Sequence, residues 1–177
     1  MKTSSFQRKS GATPLALALV LVLALANRDR ARAEESVDLK SAIQPMAEGV
    51  PEVSIVRLET LLSRELSEDD RRAASVSLAQ ACIATGEAGK AIPILDQPLL
   101  RGFSAADFWR AQALATLGRW EEALTSYEAV AAKPQGPFRA EALFGKAEAL
   151  RSIGRVDEAL QAFALLFPDK HWKTRAQ

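Results

Sequence analysis

Few side chains in this sequence are of the types that perform nucleophilic or metal chemistry. The 177 residues contain one cysteine, Cys82, and one histidine, His171. A metal site needs several such ligands, and a nucleophilic cysteine needs surroundings that favour its thiolate. Cys82 falls on an apolar helical stripe facing Leu95, which favours a small buried hydrophobic residue. We expect His171, close to the carboxyl end of the sequence, to be solvated.

An acidic cluster at residues 68–70 could suggest a cation site. Glu68, Asp69 and Asp70 come just before two arginines, and acids at the start of a helix interact favourably with its dipole. We therefore interpret the cluster as the first turn of a helix. The sequence also lacks G-x-S-x-G, phosphate-loop and H-E-x-x-H motifs. It predicts no catalytic residue, no metal and no cofactor, and so a protein that is not an enzyme.

The first 33 residues have the three parts of a secretory signal peptide. A basic start precedes a wholly apolar run of 12 residues, Leu15 to Ala26, and Ala31-Arg32-Ala33 offers a cleavage site. This run is shorter than the roughly 20 residues that a membrane-spanning helix needs. We predict a periplasmic or secreted protein. An uncleaved anchor, an unexported apolar arm and cleavage after Ala24-Leu25-Ala26 stay open as alternatives.

Removal of residues 1–33 would change the sign of the net charge. The whole chain has a formal charge of +1, whereas residues 34–177 contain 17 basic and 21 acidic side chains, a net charge of −4. Nucleic-acid binding favours clustered Lys and Arg on one face. The composition therefore predicts no nucleic-acid partner, and contact with a membrane only through the signal segment, if that segment stays uncleaved.

Glycines at long and similar intervals divide the rest of the chain into units. Gly86, Gly118 and Gly154 are 32 and 36 residues apart, and Gly49 lies 37 residues before Gly86. A period in the thirties is typical of stacked helical repeats. A glycine after an apolar helix supplies the left-handed residue that ends it. Each glycine is therefore predicted to join two antiparallel helices.

Apolar spacing places helices on both sides of these glycines. Residues 104–132 and 138–168 carry small and apolar side chains every three or four positions. Ser104 followed by Asp107 is typical of a capping box, so we expect Ser104 to be an N-cap. We expect Pro93 early in the second helix of the preceding unit, where its missing N–H is best tolerated.

This pattern of small, glycine and aromatic positions resembles the tetratricopeptide repeat. The positions that match in two units are Ala111, Gly118, Trp120, Ala123 and Tyr127, and then Ala147, Gly154, Val156, Ala159 and Phe163. A third unit matches more loosely, at Ala79, Gly86, Ala91 and Leu95. Asp107 stands where the family usually has Trp. The resemblance implies an all-α fold, an α-solenoid of antiparallel helix pairs.

The predicted organisation has four parts. They are a signal peptide (1–33), an irregular amino-terminal helical segment (34–66), three repeats (67–168) and a truncated helix or tail (169–177). The irregular segment would form a partial helix pair, because it contains Pro45 and little periodicity. The last segment would begin a further helix carrying Trp172. That helix either docks as a cap or opens a further repeat of a longer protein.

The resemblance also implies a binding surface, because the first helix of each pair lines a concave groove in this family. Carried onto this chain, the groove positions are Val76, Gln80, Ile83, Phe108, Gln112, Thr116, Phe144, Glu148 and Arg151. Each position has an alternative role in packing between helices. The set lacks the Lys and Asn side chains that hold a terminal carboxylate in chaperone-binding members. It suits a peptide held by amide hydrogen bonds and apolar contacts.

Two functions follow from these expectations. The first is a non-enzymatic scaffold of the cell envelope that binds a protein or peptide partner and no small-molecule substrate. The second is the amino-terminal, non-catalytic repeat part of a larger enzyme or secretion-system component.

Overall fold

The computed structural model describes residues 38–166, and within that range the chain forms eight α-helices and no strand. The helices are α1 (38–47), α2 (Pro51–Leu62), α3 (Glu68–Ala84), α4 (Ala88–Leu95), α5 (Ser104–Thr116), α6 (Trp120–Ala131), α7 (Arg139–Ser152) and α8 (Val156–Ala164). A 3₁₀ turn, Pro98–Leu100, separates α4 from α5. The predictions for the signal peptide, for His171 and for the tail at 169–177 concern residues outside this range.

The same glycine turn closes four of the helices. At the end of α5, the N–H of Arg119 donates to the carbonyl of Leu114 at 2.9 Å, and that of Gly118 donates to Ala115 at 3.0 Å. These two bonds define the Schellman motif, which needs a left-handed residue where a Cβ is costly. Gly118 has φ +73°. Equivalent turns with φ between +80° and +83° occur at Gly49, Gly86 and Gly154. The predicted left-handed glycines and helix pairs are confirmed.

In the last two helix pairs an arginine follows the glycine and forms hydrogen bonds with an acid in the first turn of the next helix. Arg119 donates two hydrogen bonds of 2.6 Å to the carboxylate of Glu122, and Arg155 pairs with Glu158 in the same way. These hydrogen bonds lower the pKa of Glu122 and of Glu158. The repeated spacing G-R-x-x-E is thus a second local signal for the start of α6 and α8.

The acidic cluster forms the first turn of α3, as predicted. Ser67 is the N-cap, and its Oγ accepts a hydrogen bond from the N–H of Asp70 at 3.1 Å. Arg72 forms ion pairs with Glu68 and, at 3.3 Å, with Asp69. The acids therefore lie where the helix dipole favours negative charge, and two of them pair with a nearby arginine.

The capping box predicted at Ser104 is wrong. Ser104 is the first helical residue of α5, and Phe103 precedes it without a side-chain cap hydrogen bond. The Ser104 Oγ instead accepts a hydrogen bond of 3.0 Å from the ammonium group of Lys133, which follows α6. A contact from the segment after α6 has replaced the local one.

Helix α4 is shorter than its counterparts. It has 8 residues, whereas α6 has 12. Pro93 is the sixth residue of α4, so the prediction that it lies early in the helix is wrong, and the helix ends two residues later. The chain continues through the 3₁₀ turn, where the buried Leu100 extends the core.

The amino-terminal segment also contains a helix pair. Pro45 lies within α1 and is buried. The N–H of Met46 donates to the Oγ of the buried Ser54 at 2.9 Å, which ties the end of α1 to α2. This pair extends the array by one unit before α3.

The core follows the order of the helices. From α2 onward each helix packs mainly against its neighbours in the chain, and α5 also contacts α3 and α7. Buried residues form two clusters, one containing Leu58 and Ala79 and the other containing Leu114 and Ala147; Trp109 contacts both. Consecutive helix pairs stacked in this way confirm the predicted all-α solenoid.

Candidate functional site

A groove lies between α5 and α7, where the first helices of the last two pairs run side by side. Its volume is approximately 780 Å³, which is within the usual range of ligand sites. Side chains of α6 and Leu166, two residues after α8, complete its walls.

Four aromatic side chains give the groove its apolar character: Phe108, Trp120, Tyr127 and Phe144. Phe108 and Tyr127 are buried and have ring centroids 6.3 Å apart. Phe144 is 55% exposed, although its ring forms an edge-to-face pair with that of Phe163, with centroids 5.6 Å apart. The groove therefore has a fixed aromatic base and an accessible aromatic wall.

Phe108 is held in the base of the groove by stacking. Its ring is nearly parallel to that of Phe138, with centroids 4.9 Å apart, and it meets Trp109 edge-on at 5.3 Å. Phe138 itself has φ +64°, which is rare for a bulky residue. This backbone conformation places the ring just before α7, where it covers Phe108.

Tyr127 connects the three helices of the groove. Its hydroxyl donates to Oε1 of Gln112 on α5, and its ring packs against Gly145 on α7 so closely that a Cβ there would lie 2.8 Å from Cε2. Burial raises the pKa of Tyr127 to about 12, so the phenol stays protonated. Because Oε1 is engaged by Tyr127, the amide NH₂ of Gln112 is left to donate to a ligand.

The polar side chains of the groove are Gln112, Thr116, Glu141 and Glu148. The hydroxyl of Thr116 donates to the carbonyl of Gln112 at 2.9 Å. Glu148 accepts a hydrogen bond of 2.8 Å from Arg151, one turn further along α7. The rim can therefore accept and donate hydrogen bonds and carries negative charge.

Five of the sequence-predicted groove residues come together here. They are Phe108, Gln112, Thr116, Phe144 and Glu148. Val76, Gln80, Ile83 and Arg151 do not line this groove. Val76 is 4% exposed and belongs to the first core cluster.

Several groove residues were not selected from the sequence. They are Ala115, Trp120, Tyr127, Ala140, Glu141, Gly145 and Leu166. Gly145 carried a usable signal, because a glycine inside a helical pattern usually has a packing reason. Glu141 lies three positions before Phe144, on the same face of α7.

The thiol of Cys82 lies away from the groove. Cys82 is buried in the first core cluster, and burial raises the pKa of its thiol, which disfavours the reactive thiolate at neutral pH. Among residues 38–166, no group of three His, Cys, Asp or Glu side chains is placed to hold a metal ion. Likewise, no helix of the described part combines the length and the apolar character that crossing a lipid bilayer requires.

Comparison with known proteins agrees with the geometry. A family model described as tetratricopeptide repeat matches residues 96–137 and 110–169, which together contain every residue that lines the groove. No curated protein and no solved structure matches the chain. Repeats of this kind are generally protein-binding modules. Residues 96–169, with their glycine-closed helix pairs, are therefore tetratricopeptide repeats.

Proposed function

We propose that the protein is a non-enzymatic scaffold of the cell envelope, which binds a peptide segment of a partner protein in the groove between α5 and α7. The observation that carries this proposal is the juxtaposition of Phe144 and Gln112 at one surface. Phe144 offers an exposed apolar anchor, and Gln112 offers amide hydrogens that can bind a peptide carbonyl. Peptide sites combine these two elements, since apolar contacts supply affinity and backbone hydrogen bonds supply register.

The groove is built to keep its shape without a ligand. The hydroxyl of Tyr127 positions Gln112, and the stacked Phe138 holds Phe108 in the base. A site that is already ordered loses less conformational entropy on binding. This preorganisation favours recognition of a short extended or helical segment.

The location in the envelope rests on the sequence of residues 1–33. We propose that this segment directs export and is removed before Glu34. Determination of the amino-terminal residue of the protein recovered from the periplasm or the medium tests this. An intact chain that retains Met1 and is found only in membranes would contradict export in soluble form.

Site-specific crosslinking tests the groove. A photoreactive residue is placed at Thr116, which lines the groove, or at Thr125, which is exposed on α6 outside it. Both hydroxyls donate to the carbonyl four residues earlier, so the two threonines are matched in local structure. We expect a partner crosslink from position 116 and none from position 125. Equal crosslinking from both positions, or from neither, would contradict peptide binding at this site.

A further inference from the structure

The charged side chains that line the groove all carry negative charge. Among the described residues that line it, the charged ones are Glu141 on the first turn of α7 and Glu148 two turns later. No Lys or Arg is in that set. A ligand carboxylate would therefore meet carboxylates of the same sign, whereas a ligand ammonium or guanidinium group would be attracted.

The aromatic side chains reinforce this preference. Trp120 is half-buried and Phe144 is mostly exposed at the groove. Aromatic faces attract cations through the negative charge above the ring, and Trp gives the strongest such contact. A cationic side chain lying between an aromatic face and a carboxylate would gain from both.

One cationic side chain of the protein already pairs with a carboxylate of the groove. Arg151 pairs with Glu148 at 2.8 Å, and its side chain is 61% exposed and outside the groove. The pair shows that Glu148 can hold a guanidinium group from the solvent side. An incoming Lys or Arg would compete with Arg151 at Glu148.

We propose that the ligand is a cationic peptide, with Lys or Arg side chains beside an apolar or aromatic anchor. This inference rests on the proposed function, since it names the chemistry of the segment that the same groove binds. The anchor packs against Phe144, and the cationic groups pair with Glu141 and Glu148. An acidic segment, or one held by its terminal carboxylate, is disfavoured.

A peptide array tests the charge preference separately from peptide binding itself. Each of several hundred apolar frames of about twelve residues is made in three versions, whose polar positions are all Lys, all Gln or all Glu. We expect the Lys version to bind the protein about tenfold or more tightly than the Glu version of the same frame, with the difference shrinking as salt is added.

Variants locate the preference in the groove. The double substitution Glu141→Gln with Glu148→Gln should remove most of the difference between the Lys and Glu versions. The control, Glu52→Gln with Glu121→Gln, makes the same change in net charge at exposed positions that do not line the groove, and it should keep the preference. Arg151→Gln removes the competing guanidinium, so it should strengthen binding of the Lys version.

The possible failures are distinguishable. If the Gln and Glu versions bind as tightly as the Lys version, the groove binds peptides but the inference about charge is wrong. If the control variant abolishes the preference as fully as the groove variant does, the preference belongs to the whole surface and the inference is again wrong. If no version of any frame binds, both the inference and the proposed function are wrong.

Discussion

The ring of Tyr127 on α6 packs against the backbone of Gly145 on α7, where a Cβ would lie 2.8 Å from Cε2 and closer still to Cζ. Glycine inside a helix normally costs about 0.5–1 kcal/mol relative to alanine. Its presence here is explained by the buried ring, which fills the space that a methyl group would need. The pair sets the distance between the last two helix pairs and therefore the width of the groove.

Gly145→Ala is expected to lower the free energy of unfolding by about 1–3 kcal/mol, because the added methyl group overpacks the site. Gly89→Ala on α4 is the matched control, since a Cβ at that position meets no atom within 4 Å. It should raise stability by about 0.5 kcal/mol or more. Thermal or urea unfolding of both variants measures the contrast. Equal stabilisation by the two substitutions would show that the Tyr127 ring moves aside freely.

Phe108 and Phe144 occupy equivalent places 36 residues apart, yet their substitution should have different effects. Phe108 is 5% exposed and stacked on Phe138, so Phe108→Ser should cost about 3–5 kcal/mol. Phe144 is 55% exposed, so Phe144→Ser should cost much less stability while weakening peptide binding. Melting curves recorded beside binding isotherms test both statements. Unfolding of the Phe144→Ser protein at room temperature would contradict its role as an accessible wall.

Tyr127 should ionise only in strong alkali. It is the single tyrosine of the chain, so the near-ultraviolet absorbance of phenolate reports on it alone. Burial raises its pKa from 10.0 to about 12. The unfolded chain loses this proton first as the pH rises, so the contribution of Tyr127 to stability is complete below pH 10 and is lost through pH 12.

This linkage can be measured against Tyr127→Phe. The wild type should lose about 1 kcal/mol more stability than the variant between about pH 9 and pH 11. The variant lacks the titrating group and otherwise has the same charges. Identical losses in the two proteins, or phenolate absorbance rising with a midpoint near pH 10 in the folded state, would show that the phenol is solvated.

The glycine turns predict a further effect on stability. Gly118→Val or Gly154→Val should cost about 1–2 kcal/mol or more, because a β-branched residue is strained at φ near +73° or +83°. A Cβ meets nothing within 4 Å at either position, so the cost comes from the backbone. Gly118→Asn should therefore cost less, since Asn tolerates the left-handed region. A Val variant as stable as the Asn variant would rule out backbone strain as the cause.

The helix pairs were predictable because their signals are local. A glycine after an apolar helix and acids in the next first turn act within six residues, and both signals repeat along the chain. The prediction of an N-cap failed where a distant residue intervened. Ser104 has the sequence of an N-cap, but Lys133 from the end of α6 uses its hydroxyl.

The groove was predictable only in part, for the same reason. Periodicity places Phe108 and Phe144 on one face, but it does not distinguish their burial. That difference arises from Phe138, a residue between α6 and α7 whose ring stacks on Phe108. The contact between Tyr127 and Gly145 depends on how closely two helices approach. The glycine inside α7 indicates close packing, but the pattern of one helix does not identify the ring that packs there.

The division of the core into two clusters has a consequence for how the array unfolds. Two clusters of buried residues, one mainly in α1–α4 and the other in α5–α8, meet at Ile92 and Trp109, which contact both. The indole N–H of Trp109 is buried at this junction without a hydrogen-bond acceptor in the described part of the chain. In a linear array, each unit is stabilised by itself and by its immediate neighbours. Because the core divides near the junction of α4 and α5, we expect the half that contains the groove to keep its own core when the other half opens.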